Sequence, residues 1–452
     1  MRFSIGIFAA FSLLAGIVSC SVNEPGRGTE PDTPVYGDYR ILYQLGDRDD
    51  SVSMALAYDV QKVIKSRYGE DVKVFAANKV SPVDKEIIIG RTDLSYAQDF
   101  YDTNTDEFAY QIAFRDGKIF VSAGGSWALK AAVGRFEDEV LQGGAAYKEG
   151  ETVEGTVRGQ FLFPRPAGTT VRFLDDNLWQ YDSNSNASAW EAIGENCTNE
   201  VRSRNFAALV KAYLPDILTF QEYSDKMKAF LEPSIQECGM VKAGTQTTNY
   251  TPIYYNTSAL ELKTVKYAKY GKFTPEGGSQ IDPGSTKSYT LAVFGHKATG
   301  RQFMVVATHL WWKSNSAQAG SDLCRESEVK TLMAVIDDML KVYDVPVFVV
   351  GDMNCKLATS AMKLFTNNGY KPLFGLSTGN RDGSSGYHSC DANGFAREAK
   401  HSLGADGKDC IDQFLLYNDK KSVEVKWFER IHAYFTIKLT DHYPNYADVV
   451  LK

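Results

Sequence analysis

Val345-Pro346-Val347-Phe348-Val349-Val350-Gly351-Asp352-Met353-Asn354 is an apolar, β-branched run that stops on a glycine and then offers a carboxylate and an amide two residues apart. Such a run reads as a hydrophobic strand with a turn at its end. Phe303-Met304-Val305-Val306-Ala307 is a second strand of the same kind and ends in Thr308-His309-Leu310. A helical stretch from Arg325 to Val342 separates the two. Upstream, Val171-Arg172-Phe173-Leu174, Ile217-Leu218-Thr219-Phe220, Ile253-Tyr254-Tyr255 and Leu291-Ala292-Val293-Phe294 continue the strand pattern, with an amphipathic helix over Arg204 to Leu214. Strands interleaved with helices in this order predict an α/β layered sandwich.

The chemistry sits where these strands stop. Asn177-Leu178-Trp179, Gln221-Glu222, Thr308-His309-Leu310, Gly351-Asp352-Met353-Asn354, Ile411-Asp412-Gln413-Phe414 and Thr440-Asp441-His442 each place a polar, metal-competent residue at a strand end. A single Asn or Asp there is ordinarily a turn or cap residue. Six together form a set of oxygen ligands plus two imidazoles. Glu222, Asp352 and Asp441 are hard oxygen donors and Asn177 and Asn354 are neutral amides. These suit Mg²⁺ or Mn²⁺ rather than zinc. Such an ion offsets charge developing in an in-line displacement at phosphorus, while histidines donate protons to phosphate or leaving-group oxygens. An imidazole needs an orienting partner on its other nitrogen, and Asp412 is the natural one for His442.

This ordered series resembles the endonuclease/exonuclease/phosphatase superfamily of metal-dependent phosphoesterases, from about Val171 to the C-terminus. The resemblance implies a four-layer α/β/β/α sandwich. It implies metal-proximal roles for Asn177, Glu222 and Asp441, and a phosphate contact for His309. Asp352 and Asn354 would position the attacking water and the phosphate, Asp412 would orient His442, and His442 would bind phosphate. Arg325, at a helix start where relatives often carry a basic residue, is the candidate substrate-binding cation; pairing with a Glu on its own helix is the other reading. Trp311 and Trp312 could wall the site, and Asn249 either orients His309 or serves a turn. Two departures stand out. Asp175-Asp176 precede Asn177 where aromatic or hydroxyl residues are usual, and Gln413 replaces Tyr or His. The added carboxylate either bears on metal binding or faces solvent or a hydrogen bond.

Residues 38–160 read as a separate small α+β unit ahead of the catalytic part at 167–452. Arg40-Ile41-Leu42-Tyr43, Val72 to Phe75 and Glu86-Ile87-Ile88-Ile89 are strands, and Leu56, Val60, Val63 and Ile64 share one helical face. Arg115-Asp116-Gly117 is an Asp-Gly hairpin signal, and Gly124-Gly125-Ser126 opens a helix whose apolar side is Leu129, Ala132, Val133 and Phe136. This order is similar to the domain preceding the barrel in several exported glycoside hydrolases, carried by Ile88-Ile89-Gly90-Arg91-Thr92 and Gly124-Gly125-Ser126. A packing role is expected over a glycan-binding one. Pro164 and Pro166 mark the boundary.

The N-terminus reads as a processing signal of 19 residues, with Arg2 followed by an apolar stretch from Phe3 to Val18. Ile17-Val18-Ser19-Cys20 resembles a bacterial lipobox, which makes Cys20 the lipidated residue and 20–37 a tether. Export and anchoring at a membrane facing periplasm or cell surface are expected. Of 452 residues, 44% are hydrophobic and 23% charged, which excludes disorder as the dominant state. The formal charge of −7 argues against tight duplex binding, so no stable nucleic-acid complex is expected. A monomer acting on a phosphoester is. The six cysteines after Cys20 match no zinc spacing. Cys390 with Cys410 is the preferred disulfide, with free buried thiols the alternative. The leading reading is an exported Mg²⁺-dependent (or Mn²⁺-dependent) hydrolase of a phosphodiester or phosphomonoester. The alternative is an inactive surface-binding lipoprotein on the same fold, glycan-directed through its N-terminal unit.

Overall fold

In this computed structural model the described residues are 36–43, 51–90, 94, 108–143, 148–157, 170–179, 199–379, 410–431 and 440–452. The expected leader, Cys20, the Pro164–Pro166 boundary and Cys390 lie outside them. Tyr36, placed in the tether by sequence, is instead buried, its ring 5.0 Å from that of Tyr68. Among the described residues no helix is long and apolar enough to cross a membrane.

Strands β1 (Arg40–Tyr43), β2 (Lys73–Ala76), β3 (Glu86–Ile89), β4 (Ala109–Arg115), β5 (Lys118–Ala123) and β6 (Thr152–Thr156) form one sheet in the order β2-β1-β3-β5-β4-β6. The Asp-Gly signal behaves as read. Arg115 pairs with Lys118, and Asp116 (φ 53°) and Gly117 (φ 72°) both take the left-handed conformation of a two-residue hairpin turn. Helices Ser51–Tyr68 and Ser126–Arg135 lay Val60, Ile64, Leu129, Ala132 and Val133 against the sheet.

Two further sheets carry the site. The first runs β17 (Val423–Arg430), β18 (Asn445–Leu451), β7 (Thr170–Asn177), β8 (Ile217–Gln221), β10 (Ile253–Asn256) and β9 (Met240–Lys242). The second runs β11 (Leu260–Lys269), β12 (Ser288–His296), β13 (Gln302–His309), β14 (Val347–Asp352), β16 (Asp412–Tyr417) and β15 (Lys371–Pro372). Their inner faces share one core in which the Phe173 ring meets Phe348 at 4.9 Å, Phe414 at 5.2 Å and Phe303 at 6.1 Å. Stacked sheets bury both inner faces this way. Helices Ser321–Leu340 and Ser360–Asn367 cover the outside of the second sheet through Val329, Leu332, Ile336 and Phe365. Helices Asn199–Tyr213 and Asp225–Glu237 cover the outside of the first through Phe206, Leu209, Leu231 and Ile235. The result is the expected α/β/β/α layering.

The N-terminal sheet shares its apolar core with the outer face of the first catalytic sheet, where the buried rings of Phe108 and Tyr213 lie 5.6 Å apart. The N-terminal part therefore packs onto the layer that carries Asn177 and Glu222.

Candidate active site

Register brings the strand ends together. β13 and β14 are parallel and pair His309 with Asp352; β14 and β16 are antiparallel and pair Asp352 with Asp412. In the facing sheet β7 and β8 are parallel, pairing Asn177 with Gln221, so Glu222 follows at the same end. β18 enters beside β7 with Asn445 opposite Asp175, and Asp441 and His442 lie just before it. Gly351 has a packing reason: at φ 134°, a Cβ there would fall 2.0 Å from the Thr308 carbonyl oxygen. Glu222 (φ 54°) and Asn354 (φ 49°) hold the left-handed conformation although neither is glycine, a strain that collects at functional sites.

Asp352 is the hub. Its Oδ2 accepts from Asn177 Nδ2 at 2.9 Å, and its Oδ1 accepts from the Asn354 backbone N–H at 2.8 Å. His309 Nε2 stands 3.3 Å from Asp352 Oδ2 and 3.8 Å from Glu222 Oε1. Burial alone would raise the Asp352 carboxyl, but hydrogen bonding and charge from His309, with His442 and Lys287 beyond, hold it well below the usual range. His442 Nδ1 donates to Asp412 Oδ2 at 2.7 Å, leaving Nε2 3.7 Å from Asp441 Oδ1. Burial alone would lower His442; the carboxylates of Asp412, Asp441 and Asp352 outweigh it and keep the ring protonated well above its ordinary pKa. His309 goes the other way, lowered by burial and then by the Lys287 ammonium. Their surroundings thus push the two imidazoles in opposite directions, His442 toward the cation and His309 toward the neutral ring.

Asp441 is pushed up to about 7, chiefly by burial, with the Glu222 carboxylate adding to it. Asp441 and Glu222 are hard oxygen donors whose mutual repulsion a divalent cation would relieve. Ligand atoms of Asp352, Asp412 and His442 also lie within 4.8 Å of one another, but there the imidazole and Asp412 are already bonded to each other. Asn177 departs from its expected role as an oxygen ligand. Its Oδ1 takes the Trp179 N–H at 3.0 Å and its amide holds Asp352, so it acts as a bracket for the hub.

Arg325 is a correction. Its guanidinium donates to the carbonyls of Trp311 and Lys313, both at 2.8 Å, and pairs with Asp322 on its own helix. A guanidinium engaged on three sides ties down the loop after His309 and does not offer its fork to a phosphate. Asn249 serves its turn, accepting from Thr251 N and donating to Thr290. Trp311 is core, whereas Trp312 is 57% exposed. Asp175 and Asp176 do not face solvent. Asp175, pushed up to about 7 by burial, accepts from Thr219 and Gln221, while both oxygens of buried Asp176 have no hydrogen-bond partner among the described residues. Gln413 Nε2 donates to the Cys410 carbonyl, which makes it a loop tie.

Two functional candidates escaped the sequence reading. Lys287 precedes β12, is 3% exposed, and its Nζ lies 2.5 Å from His309 Nε2. In sequence it is one more lysine before an apolar run, indistinguishable from a surface turn residue. Glu328 is buried behind it on the helix Ser321–Leu340 and accepts the Trp311 N–H at 2.8 Å. Burial raises Glu328 to about 8 against the partial relief from Trp311 and Lys287. The folded state therefore keeps a proton that the unfolded chain releases above the ordinary glutamate range. Stability is fully present below that range and falls as pH rises through about 8. Glu328→Gln is expected to remove roughly 2–4 kcal/mol of this decline between pH 5 and 8.5. Urea denaturation of both proteins at the two pH values checks it, and equal declines would contradict it.

A profile of the Endonuclease/Exonuclease/phosphatase family matches residues 184–442, more than half of the chain. The chain belongs to this family. Among solved structures, a family member from Bacteroides thetaiotaomicron superposes with a TM-score of 0.49 at 15% identity, covering 63% of this chain and 96% of its own. A family member from Bacteroides vulgatus gives 0.46 at 20%, covering 63% and 100%. The Bacteroides thetaiotaomicron mannosyl-6-phosphatase gives 0.46 at 15%, covering 62% and 100%. No curated protein matches. The endonuclease/exonuclease/phosphatase assignment makes the strand-end cluster the place to look for hydrolysis of a phosphoester.

Proposed function

We propose that the chain is a Mg²⁺- or Mn²⁺-dependent phosphoric ester hydrolase, working by in-line attack of water on a phosphodiester or phosphomonoester. The observation that supports it most is the convergence of two imidazoles on one carboxylate cluster, His442 braced by Asp412 at 2.7 Å and His309 3.3 Å from the Asp352 hub. Glu222 and Asp441 would hold the cation. Bound there, it would supply Lewis-acid polarisation of a phosphate oxygen and neutralise developing charge. His442 donates its Nε2 proton to a phosphate oxygen. Lys287 supplies a second cationic donor, beside His309. Asp352, kept ionised, accepts a proton from the attacking water, and the Asn354 amide, anchored on the Leu310 carbonyl at 3.0 Å, borders the same space.

Export and lipidation at Cys20 remain part of this proposal on the strength of Ile17-Val18-Ser19-Cys20. So does a packing role for residues 38–160. A panel of phosphodiesters and phosphomonoesters, incubated with Mg²⁺ or Mn²⁺, tests the activity. Turnover of at least one class is expected. Cation binding without turnover of any would favour an inactive binding protein instead.

A further inference from the structure

A cavity of about 120 Å³ opens beside the crevice, with room for several waters or one small anionic group. Its walls are tied to the site by chain and by hydrogen bond. Tyr223 and Ser224, on one wall, directly follow Glu222. Asn249, on another, donates to Thr290 Oγ1 at 3.0 Å, while Thr251 meets Ser288, the neighbour of Lys287, at 3.0 Å. The lining is mainly hydroxyl, amide and ammonium: Ser224, Thr247, Thr248, Asn249, Lys228 and Lys242.

Its charge is set by two lysines. Lys228 Nζ donates to the Thr247 carbonyl at 3.3 Å and Lys242 Nζ to the Gln246 carbonyl at 3.0 Å, so one short loop holds both ammonium groups. Each ammonium has three donors and uses one on that loop. Lys269 adds a third cation, 5.4 Å from the Tyr250 ring on the same loop. Against them stands Asp225 in the lining, with Glu232 lying 4.0 Å from Lys228 and accepting the Tyr254 hydroxyl at 3.0 Å. The helix Asp225–Glu237 also begins here, and helix N-termini favour anions. On a chain of net charge −7, two ammonium groups and a helix N-terminus thus meet in one cavity, with Asp225 as the acid in its lining.

We propose that this cavity is a second anion subsite, and that the preferred substrate is a small phosphoester whose alcohol part carries a second anionic group. The inference rests on the hydrolase reading above. It assigns Lys228 and Lys242 to binding, with the Gln246–Tyr250 loop as their frame.

The test uses α,ω-alkanediol bisphosphates of three to eight carbons beside alkyl monophosphates of the same lengths. KM is measured on the full chain, and binding is measured by calorimetry on Asp352→Asn. At one or more lengths the bisphosphate is expected to bind about tenfold more tightly than its monophosphate. The preference should fall to about onefold in Lys228→Met/Lys242→Met and return in Lys228→Arg/Lys242→Arg. Equal binding at every length, or a preference that survives the methionine pair with an unchanged melting temperature, would overturn the subsite while leaving the hydrolase reading intact. Neither binding nor turnover of any phosphoester would overturn both.

Discussion

His442→Ala is expected to lower kcat by about 10³-fold on whichever phosphoester the chain hydrolyses, within the range that one positioned proton donor supplies. The ring is 7% exposed, its Nδ1 is committed to Asp412, and three carboxylates keep it charged, so its Nε2 proton is the most fully prepared donor in the crevice. Alanine also leaves Asp412 buried with its imidazole partner removed, so some stability is lost too. His442→Gln separates the effects, because an amide can still donate to Asp412 but cannot act as an acid. Both variants should lose turnover together, while the glutamine protein melts closer to the parent. Rates within tenfold of the parent in the glutamine variant would remove His442 from the chemistry.

Asp448→Ala is expected to cost about 3–5 kcal/mol of stability, the usual scale for removing one partner of a buried ion pair. Arg172 sits on β7 and Asp448 on β18, and the guanidinium meets the carboxylate through two bonds, of 2.8 and 3.1 Å. Arg172 also donates to the Tyr213 carbonyl at 2.8 Å, and Tyr446 donates to Asp448 at 2.8 Å. Deleting the carboxylate strands a buried guanidinium and a phenol in a single step. Arg172→Met/Asp448→Leu removes both charges and should melt above the single variant. Urea unfolding of the three proteins reads this out. A single variant within 1 kcal/mol of the parent would mean that this buried pair is not a main support of the fold.

The strands that carry chemistry were legible because buried runs such as Phe303 to Ala307 and Val345 to Val350 end abruptly on polar residues. Parallel and antiparallel pairing then converts strand ends into neighbours, as for His309, Asp352 and Asp412. What escaped depends on direction rather than type. Lys287 looks like any turn lysine until β12 brings it against His309. Arg325 occupies a position suited to phosphate, yet Trp311 and Lys313 present carbonyls that a surface arginine would not meet. Asp176 reads as a carboxylate for metal, for solvent or for a hydrogen bond until the strand Thr170–Asn177 proves buried along its whole length. No pattern of spacing distinguishes these cases, because each is decided by how the folded chain packs around the side chain.

The central claim is that one metal-dependent phosphoesterase centre is built from both sheets, and phosphoester cleavage under metal control tests it most directly. Purified protein should cleave a phosphodiester or a phosphomonoester in Mg²⁺, followed by release of the alcohol product, fall to background in EDTA, and recover when Mg²⁺ or Mn²⁺ is restored. Glu222→Gln should need much more metal for the same rate, and Asp352→Asn should stay near background at any metal concentration. Turnover that persists undiminished in EDTA, or in Asp352→Asn, would contradict it.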